Sequence, residues 1–187
     1  LGSVVCRRIL DPGEQGRRGG RQKGGDREPR DHALGRSRGG FGSKIHLVTD
    51  GRGLPLAAEV TAGQRHESTQ FEDVMNAVRI GRRTRPRRVA GDKGYSYPRI
   101  RRWLRRHGIQ VVIPQRSDQI AQHRGRPLEL DKKTYRRRSV IECCIGWLKE
   151  CRRIGTRFEK LALHFLAMIK IAIIQRYLRL LDISDTA

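Results

Sequence analysis

Short strand-like runs of apolar residues occupy the N-terminal third of the chain. Residues 41–49 and 54–62 are two such runs, and the D-G-R-G sequence at 50–53 between them is typical of a β-hairpin turn. A shorter β-prone run covers residues 3–6. The pattern therefore predicts three strands, and it favours Asp50 as a turn residue over a catalytic acid.

A strand, a helix and a second strand follow one another within residues 88–113. The first run ends at Asp92, a helix is expected from Pro98 to His107, and the next strand covers residues 109–113. Two strands joined by so compact a crossover pair in parallel. Asp92 would then lie where a strand ends, the usual place for catalytic groups in an open α/β sheet.

Helical periodicity appears in three further segments, at residues 69–80, 135–149 and 161–181. The last is apolar on most sides, which suits a buried helix, and its apolar run is too short for a membrane span. The apolar side of the 135–149 helix would be formed by Val140, Ile141, Cys144, Ile145, Trp147 and Leu148. Cys151, two residues beyond the helix, falls on the same side.

Two segments show no such periodicity. Residues 11–40 are rich in glycine and basic side chains, which predicts a flexible loop that could contact a phosphate backbone. Residues 115–133 are polar and basic, and we expect a mobile loop there as well. The order of elements predicts one α/β domain, with a mixed sheet flanked by helices.

The charge of the chain points to a polyanionic partner. The 187 residues include 41 Lys and Arg against 19 Asp and Glu, which gives a net charge of +22. Nucleic acid is the simplest partner for such a charge. The charge alone does not separate DNA from RNA, or binding from catalysis, and a ribosomal or nucleoid protein would show the same balance.

The four cysteines are not arranged as a typical zinc site, because none of them forms a C-x-x-C pair. Three lie in or next to the predicted 135–149 helix, so buried, reduced thiols in a cytosolic protein are the expected state.

One edge of the 135–149 helix carries a row of chemically different side chains. At 100° per residue, Tyr135, Arg138, Glu142 and Lys149 fall within about 60° of one another. An amphipathic helix with a solvated polar edge would explain such a row equally well.

The spacing of these residues resembles a signature of bacterial insertion-sequence transposases, Tyr-x2-Arg-x3-Glu-x6-Lys, found in the Asp-Asp-Glu class of the family four and five type. The D-K-G-Y sequence that begins at Asp92 is similar to the second acidic motif of the same enzymes. The G-Q-R-H-E sequence at 63–67 is similar to a further stretch, although helix-entry chemistry also explains Glu67 and Ser68. The resemblance covers residues 34–178.

The resemblance implies a ribonuclease H-like fold and metal-dependent cleavage and transfer of DNA strands at insertion-sequence ends. Asp92 and Glu142 would be catalytic metal ligands, with their carboxyl groups close together, for Mg²⁺ or Mn²⁺. Tyr135, Arg138 and Lys149 would contact DNA. The implied partners are double-stranded DNA, as transposon ends and target, and a second copy of the chain in a synaptic complex. A location at the nucleoid in the cytoplasm follows from the same likeness.

The resemblance is weakest at the front of the chain. The first acid of these enzymes is expected before a Gly/Ser-Ser/Thr-Val-Val sequence, and here Leu1 stands in that place, with Asp11 as the nearest alternative. The chain therefore matches a catalytic part truncated at its N-terminus, with impaired cleavage. Two alternatives remain open: a catalytically inactive, DNA-binding remnant of a transposase, and an unrelated basic protein that binds RNA or DNA.

Overall fold

The computed structural model describes residues 2–10, 32–37, 40–81, 85–122 and 128–184. Every structural statement below refers to these residues.

Leu1 and Asp11, the two positions considered for the first acid, lie outside the described residues. Most of the predicted 11–40 loop and the centre of the 115–133 loop lie outside them too.

The described strands form one mixed sheet. They are β1 (Gly2–Leu10), β2 (Gly35–Ser37), β3 (Gly40–Thr49), β4 (Pro55–Ala62), β5 (Arg88–Gly91) and β6 (Gln110–Val112). Their order is β2-β3-β1-β5-β6, with β4 paired to β3. The mixed α/β class predicted from the pattern is therefore confirmed.

Seven α-helices are described: α1 (Phe71–Asn76), α2 (Pro98–Arg106), α3 (Ser117–Ala121), α4 (Lys132–Arg136), α5 (Val140–Glu150), α6 (Arg152–Gly155) and α7 (Ala162–Ser184). Short 3-10 turns cover Glu67–Gln70, Lys93–Tyr95 and Arg137–Ser139. None of the helices in the described part of the chain is both long enough and apolar enough to cross a membrane.

The predicted parallel β-α-β unit is present. β5 pairs in parallel with β6, with Val89 opposite Val111, and it also pairs in parallel with β1, with Gly2 opposite Val89. The connecting helix α2 is anchored in the core by Ile100 and Leu104, which are completely buried. β5 is thus held between two parallel neighbours, and the chain leaves it at Asp92.

The β3–β4 hairpin forms as its turn sequence predicts. The Oδ1 atom of Asp50 accepts hydrogen bonds from the backbone N–H groups of Arg52 (2.8 Å) and Leu54 (2.9 Å). Gly53 has a φ of +86°, a conformation that L side chains rarely adopt. A Cβ on Gly53 would also lie 3.1 Å from the carbonyl oxygen of Val140, so the turn packs closely against the start of α5.

The predicted 11–40 loop is wrong at its end, because residues 35–37 form strand β2 and pair with residues 40–42. Close backbone packing replaces side-chain packing here. A Cβ on Gly63 would lie 2.7 Å from the carbonyl oxygens of both Gly35 and Gly42. Glycines carry no apolar signal, so the pattern could not reveal this strand.

The predicted 115–133 loop is also wrong in part, because it contains α3 and the start of α4. Gln119 of α3 explains why so polar a segment is ordered: its Oε1 atom accepts a hydrogen bond from the Ser96 hydroxyl at 2.6 Å. A side-chain hydrogen bond of this kind leaves no trace in hydrophobic periodicity.

Two predicted helices differ in their extent. The 69–80 helix begins as a 3-10 turn and ends at Asn76, although the expected inward residues are buried: Phe71, Val74, Met75 and Val78. The 135–149 helix is divided into α4, a 3-10 turn and α5. The side chains at its apolar side are buried or half-buried as predicted.

The prediction that the final helix is buried is wrong. On α7, Phe165, Ile169 and Ala172 are buried, whereas large apolar side chains elsewhere on the helix are exposed by 45–73%: Leu163, Ile171, Ile174, Leu178, Leu180 and Leu181. A helix that is apolar on most sides does not reveal which face will pack, so the sequence could not distinguish the two cases.

Two compact units divide the chain. The first contains Leu1–Cys6, His46–Glu59 and His66–Ile145, and the second contains Arg7–Ile45, Val60–Arg65 and Gly146–Ala187. The first unit has an apolar core whose most deeply buried residues include Phe71, Val89, Ile100 and Leu104.

The second unit contains a buried arginine, Arg157, whose side chain is 2% exposed. Its N–H groups donate to five oxygen atoms: the carbonyls of His32, Ala33, Glu159 and Lys160, and the hydroxyl of Ser43. Its guanidinium carbon also lies 4.9 Å from the centre of the Phe165 ring. A guanidinium has five N–H donors, and each of these finds an acceptor here.

Replacing Arg157 with lysine should destabilise the protein. An ammonium group has three donors, so at least two of the five hydrogen bonds would be lost, at a cost of roughly 1–3 kcal/mol in the free energy of unfolding. Denaturant titration of Arg157→Lys measures this loss. Arg152→Lys, at an exposed position of the same unit, is the matched control and should change stability by less than about 0.5 kcal/mol. Equal stabilities of the two variants would contradict the assigned role of Arg157.

Candidate active site

Asp92 follows the last residue of β5 and is half-buried. Its side chain bends back on the chain, and its Oδ1 atom accepts a hydrogen bond from the backbone N–H of Gly94 at 2.8 Å. The 3-10 turn that starts here buries Tyr95, whose ring packs 5.8 Å from the ring of Phe71. The strand before Asp92 and the buried tyrosine after it therefore fix the carboxylate in place.

A second carboxylate, that of Glu67, lies beside Asp92. A Cβ placed on Gly94 would lie 2.9 Å from Oδ1 of Asp92 and 2.9 Å from Oε2 of Glu67. The two oxygen atoms are thus within twice that distance of each other. The glycine of the D-K-G sequence leaves this space open, because a Cβ there would require the two carboxylates to shift.

Hydrogen bonds hold the loop of Glu67 against the segment that follows Asp92. The Nε2 atom of His66 lies 3.2 Å from the hydroxyl of Tyr97, and the carbonyl oxygen of Ser68 accepts a hydrogen bond from Arg99 at 2.6 Å. A cavity of about 540 Å³ opens beside these contacts, lined by His66, Lys93, Gly94, Tyr97, Arg116, Ser117 and Asp118.

Three of the four signature side chains form one group, in which Arg138 contacts both Glu142 and Tyr135. The Nη1 atom of Arg138 lies 3.2 Å from Oε1 of Glu142, and its guanidinium carbon lies 5.5 Å from the centre of the Tyr135 ring. Lys149 is exposed and lies about two turns further along α5. The contact between Arg138 and Glu142 is present although the 3-10 turn at 137–139 separates α4 from α5.

β5 and α4 are linked by an ion pair and a cap. Arg88, at the start of β5, lies 3.7 Å from Oδ2 of Asp131 and 3.5 Å from the hydroxyl of Thr134. Asp131 precedes α4 and caps it by accepting hydrogen bonds from the backbone N–H (2.9 Å) and the hydroxyl (2.5 Å) of Thr134. Tyr135 is the next residue, so this link helps to orient the signature row.

The first unit also contains an arginine-lined groove that the pattern of the sequence did not reveal. The cavity, of about 410 Å³, is lined by Pro98, Arg101, Arg102, Arg105, Gln115, Gln119, Gln122 and Leu128. Arg101 is anchored, since it donates to the Ile113 carbonyl at 2.8 Å and to the Ser96 hydroxyl at 3.0 Å. Burial, and to a lesser degree the charge of Arg105, lower the pKa of Arg101 below its ordinary value.

The structure thus brings Tyr135, Arg138 and Glu142 into one group and Asp92 together with Glu67 into another. Asp92 and Glu142 belong to the same compact unit. The parallel register pairs Gly2 with Val89, so the start of β1 lies about 10 Å along the strand from the level of Asp92. From the sequence, Glu67 is explained as an acid at the entry of a helix, so its approach to Asp92 was not predicted.

Comparison with known proteins identifies the family. The family model described as "Transposase DDE domain" matches residues 15–175. This chain belongs to that family. The signature in α4 and α5 and the acidic motif at Asp92 both fall within the matched residues.

Two curated relatives agree with the family match. The chain is 36% identical over 127 residues to a putative transposase for insertion sequence element IS402 from Burkholderia cepacia, covering 65% of this chain and 56% of that protein. It is 27% identical over 142 residues to a putative transposase for insertion sequence element IS6501 from Brucella ovis, covering 73% and 98% of the two chains. The chain thus spans little more than half the length of the first relative. No solved structure matches this chain.

Members of the DDE family generally use a divalent metal ion, and the acidic residues offer the hard oxygen ligands that such ions prefer. Among the described residues there is no group of three or more His, Cys, Asp or Glu arranged to hold a metal. Magnesium, however, is often bound by one or two carboxylates together with water and substrate phosphates. The space at Gly94, which a Cβ would fill and which two carboxylates border, fits such a site.

The cap of α4 should depend on pH. Hydrogen bonds from the Thr134 hydroxyl and backbone, and then the charge of Arg88, lower the pKa of Asp131 below its ordinary value of 3.8. A carboxyl with a lowered pKa stabilises the folded state above its unfolded pKa, and this is lost as the pH falls through the folded pKa. The protection of the Thr134 amide against hydrogen exchange should therefore fall only below pH 3.8.

Asp131→Asn is the control for this measurement, because asparagine also caps helices but does not titrate. Its Thr134 protection factor should stay constant over the same pH range. Identical pH profiles for the wild type and the asparagine variant would show that the Asp131 carboxylate is not the titrating group.

Proposed function

We propose that this chain is the catalytic part of an insertion-sequence transposase, which cleaves DNA strands at the ends of its element and transfers them to target DNA. The contact between Arg138 and Glu142 beside Tyr135, in a chain of the DDE family, is the observation that carries the proposal. This contact supports the interpretation that Tyr135, Arg138 and Glu142 act together at one site.

The fold that we propose is ribonuclease H-like. The parallel β1-β5-β6 arrangement, the acid at the end of β5 and the helical C-terminal segment that carries Glu142 support this assignment. The whole of residues 1–187 would then serve as one catalytic domain.

Asp92 and Glu142 are the proposed catalytic metal ligands, with Mg²⁺ or Mn²⁺ as the ion. When bound, divalent ions activate the attacking oxygen and stabilise the leaving oxygen of a phosphodiester. Asp92 is held by the end of β5 and by its bond to the Gly94 N–H, so it presents a fixed carboxylate. Arg138 restrains the Glu142 carboxylate through its contact with Oε1.

DNA binding is proposed to involve Tyr135, Arg138 and Lys149. Lys149 is exposed and can neutralise a phosphate directly. Arg138 uses one of its donors on Glu142, and a guanidinium retains others for a phosphate oxygen. The net charge of +22 and the groove lined by Arg101, Arg102 and Arg105 support a long track for a duplex backbone.

The proposed partners are double-stranded DNA, as element ends and target, and a second copy of the chain in a synaptic complex at the nucleoid. The large apolar side chains exposed on α7 are compatible with a protein partner.

Removing either proposed ligand should abolish strand cleavage without abolishing DNA binding. We expect Asp92→Asn and Glu142→Gln to lower Mg²⁺-dependent nicking of a plasmid that carries the element's ends by at least about a hundredfold, equivalent to roughly 2.7 kcal/mol of barrier. Glu150→Gln, at an exposed acid of α5, is the matched control and should nick like the unmodified chain.

The same assay separates the proposed enzyme from an inactive remnant. Metal-dependent nicking that the two substitutions remove supports the transposase. A chain that binds the plasmid and never nicks it, with either metal, would leave the DNA-binding alternative in its place.

The affinity for duplex DNA should fall steeply with salt, because each neutralised phosphate releases condensed counterions, with a slope near −0.9 per contact. Arg138→Ala and Lys149→Ala should each reduce the slope by about one. Arg138→Lys keeps the charge and should keep the slope. Titrations by fluorescence anisotropy at several salt concentrations measure it, and an affinity that does not change with salt would refute a phosphate-dominated interface.

A further inference from the structure

The long helix α7 has two apolar faces on opposite sides. One face is packed within the second unit: Phe165, Ile169 and Ala172 are buried, and the guanidinium carbon of Arg157 lies 4.9 Å from the centre of the Phe165 ring. At 100° per residue, the other face lies about 180° away around the helix. We call this second face the outer stripe, and it consists of six exposed residues: Leu163, Ala167, Ile171, Ile174, Leu178 and Leu181.

The outer stripe is continuous and large. Its five leucine and isoleucine residues are each 54–73% exposed. Along about 27 Å of helix they present on the order of 600 Å² of accessible surface. Single apolar residues are common on protein surfaces, whereas a contiguous apolar patch of this size marks a contact surface.

The spacing within the stripe is that of paired helices. From Ala167 to Leu181 the intervals alternate between four and three residues. This repeat keeps one apolar seam facing a partner helix along its length. Ile171 and Leu178 occupy one of the two repeating positions, and both are among the residues that pair well in such a seam.

The outer stripe is uncharged, although the protein as a whole is strongly basic. Lys170 and Gln175 lie at its two edges, and no charged side chain lies within it. Two copies of a chain with a net charge of +22 repel each other, so they can approach closely only through a surface without charge. A foreign partner that is complementary to so basic a chain would be acidic, and the stripe offers such a partner no cation within it.

From these observations we infer that the outer stripe joins two copies of this chain, with α7 of one copy packed against α7 of the other across a two-fold axis. A two-fold interface uses the same surface on both copies, and an uncharged apolar stripe is complementary to itself. Two stripes would bury about 1,200 Å², which reaches the lower limit of a standard interface. The inference rests on the proposed function and deepens it, because it names the surface that joins the two copies.

The test is the molecular mass of the full chain without DNA, measured by sedimentation equilibrium at several protein concentrations in about 0.5 M salt, which screens the repulsion between copies. We expect a dimer that dissociates on dilution. Ile174→Glu places one carboxylate from each copy in the seam and should raise the dissociation constant at least about a hundredfold. Ile171→Glu should do the same from the neighbouring turn, whereas Ile174→Leu keeps an apolar side chain and should keep the dimer.

Leu180→Glu is the matched control. Leu180 is an exposed apolar residue of the same helix, but it lies off the stripe. The control variant has the same added charge and should sediment like the unmodified chain. Thermal unfolding shows that each variant is folded, and Ile174→Ser makes the same comparison without an added charge if a glutamate variant does not fold.

A chain that stays monomeric up to about 100 µM would overturn the inference, because the stripe would then serve another partner. A dimer that folded Ile171→Glu and Ile174→Glu both leave unchanged would overturn it too. Neither result bears on strand cleavage, which the nicking assay tests separately. A chain that dimerises through the stripe and never nicks the plasmid would support the inference and contradict the proposed function.

Discussion

The candidate site depends on the parallel pairing of β5 with β1 on one side and β6 on the other. Because both neighbours run in the same direction, the end of β5 is held at a fixed level of the sheet, and Asp92 leaves it at that point. The following turn buries Tyr95 and bonds the Asp92 carboxylate to its own backbone. Without this pairing, the acidic motif would be a free loop.

The electrostatics of the molecule follow from a balance of opposite charges. The chain carries a net charge of +22, which attracts a phosphate backbone and steers it at long range. Acidic residues concentrated at one place in such a protein need a local cation or a basic neighbour. Arg138 provides the neighbour for Glu142, and we propose that a divalent ion binds at Asp92.

Periodicity predicted the elements that pack by side chains and failed where packing uses backbone or hydrogen bonds. The β-α-β unit around Asp92 is present because Val89, Ile100 and Leu104 give an apolar signal. β2 was missed because its backbone, at Gly35, packs against the backbone of Gly63. At the site, the spacing of the signature predicted the group of Tyr135, Arg138 and Glu142 correctly. The approach of Glu67 to Asp92 brings together residues that are 25 positions apart. It depends on the absence of a Cβ at Gly94, and no local pattern encodes such a contact.

The most direct test of the account asks which parts of the chain surround one bound metal. Fe²⁺ substituted for the native ion generates hydroxyl radicals in the presence of ascorbate and peroxide, and these cut the protein backbone next to the ion. Fragments should end near Asp92 and Glu142, and they should be lost in Asp92→Asn. Cleavage near Asp92 without cleavage near Glu142, or cuts spread evenly along the chain, would contradict a metal site shared by these carboxylates.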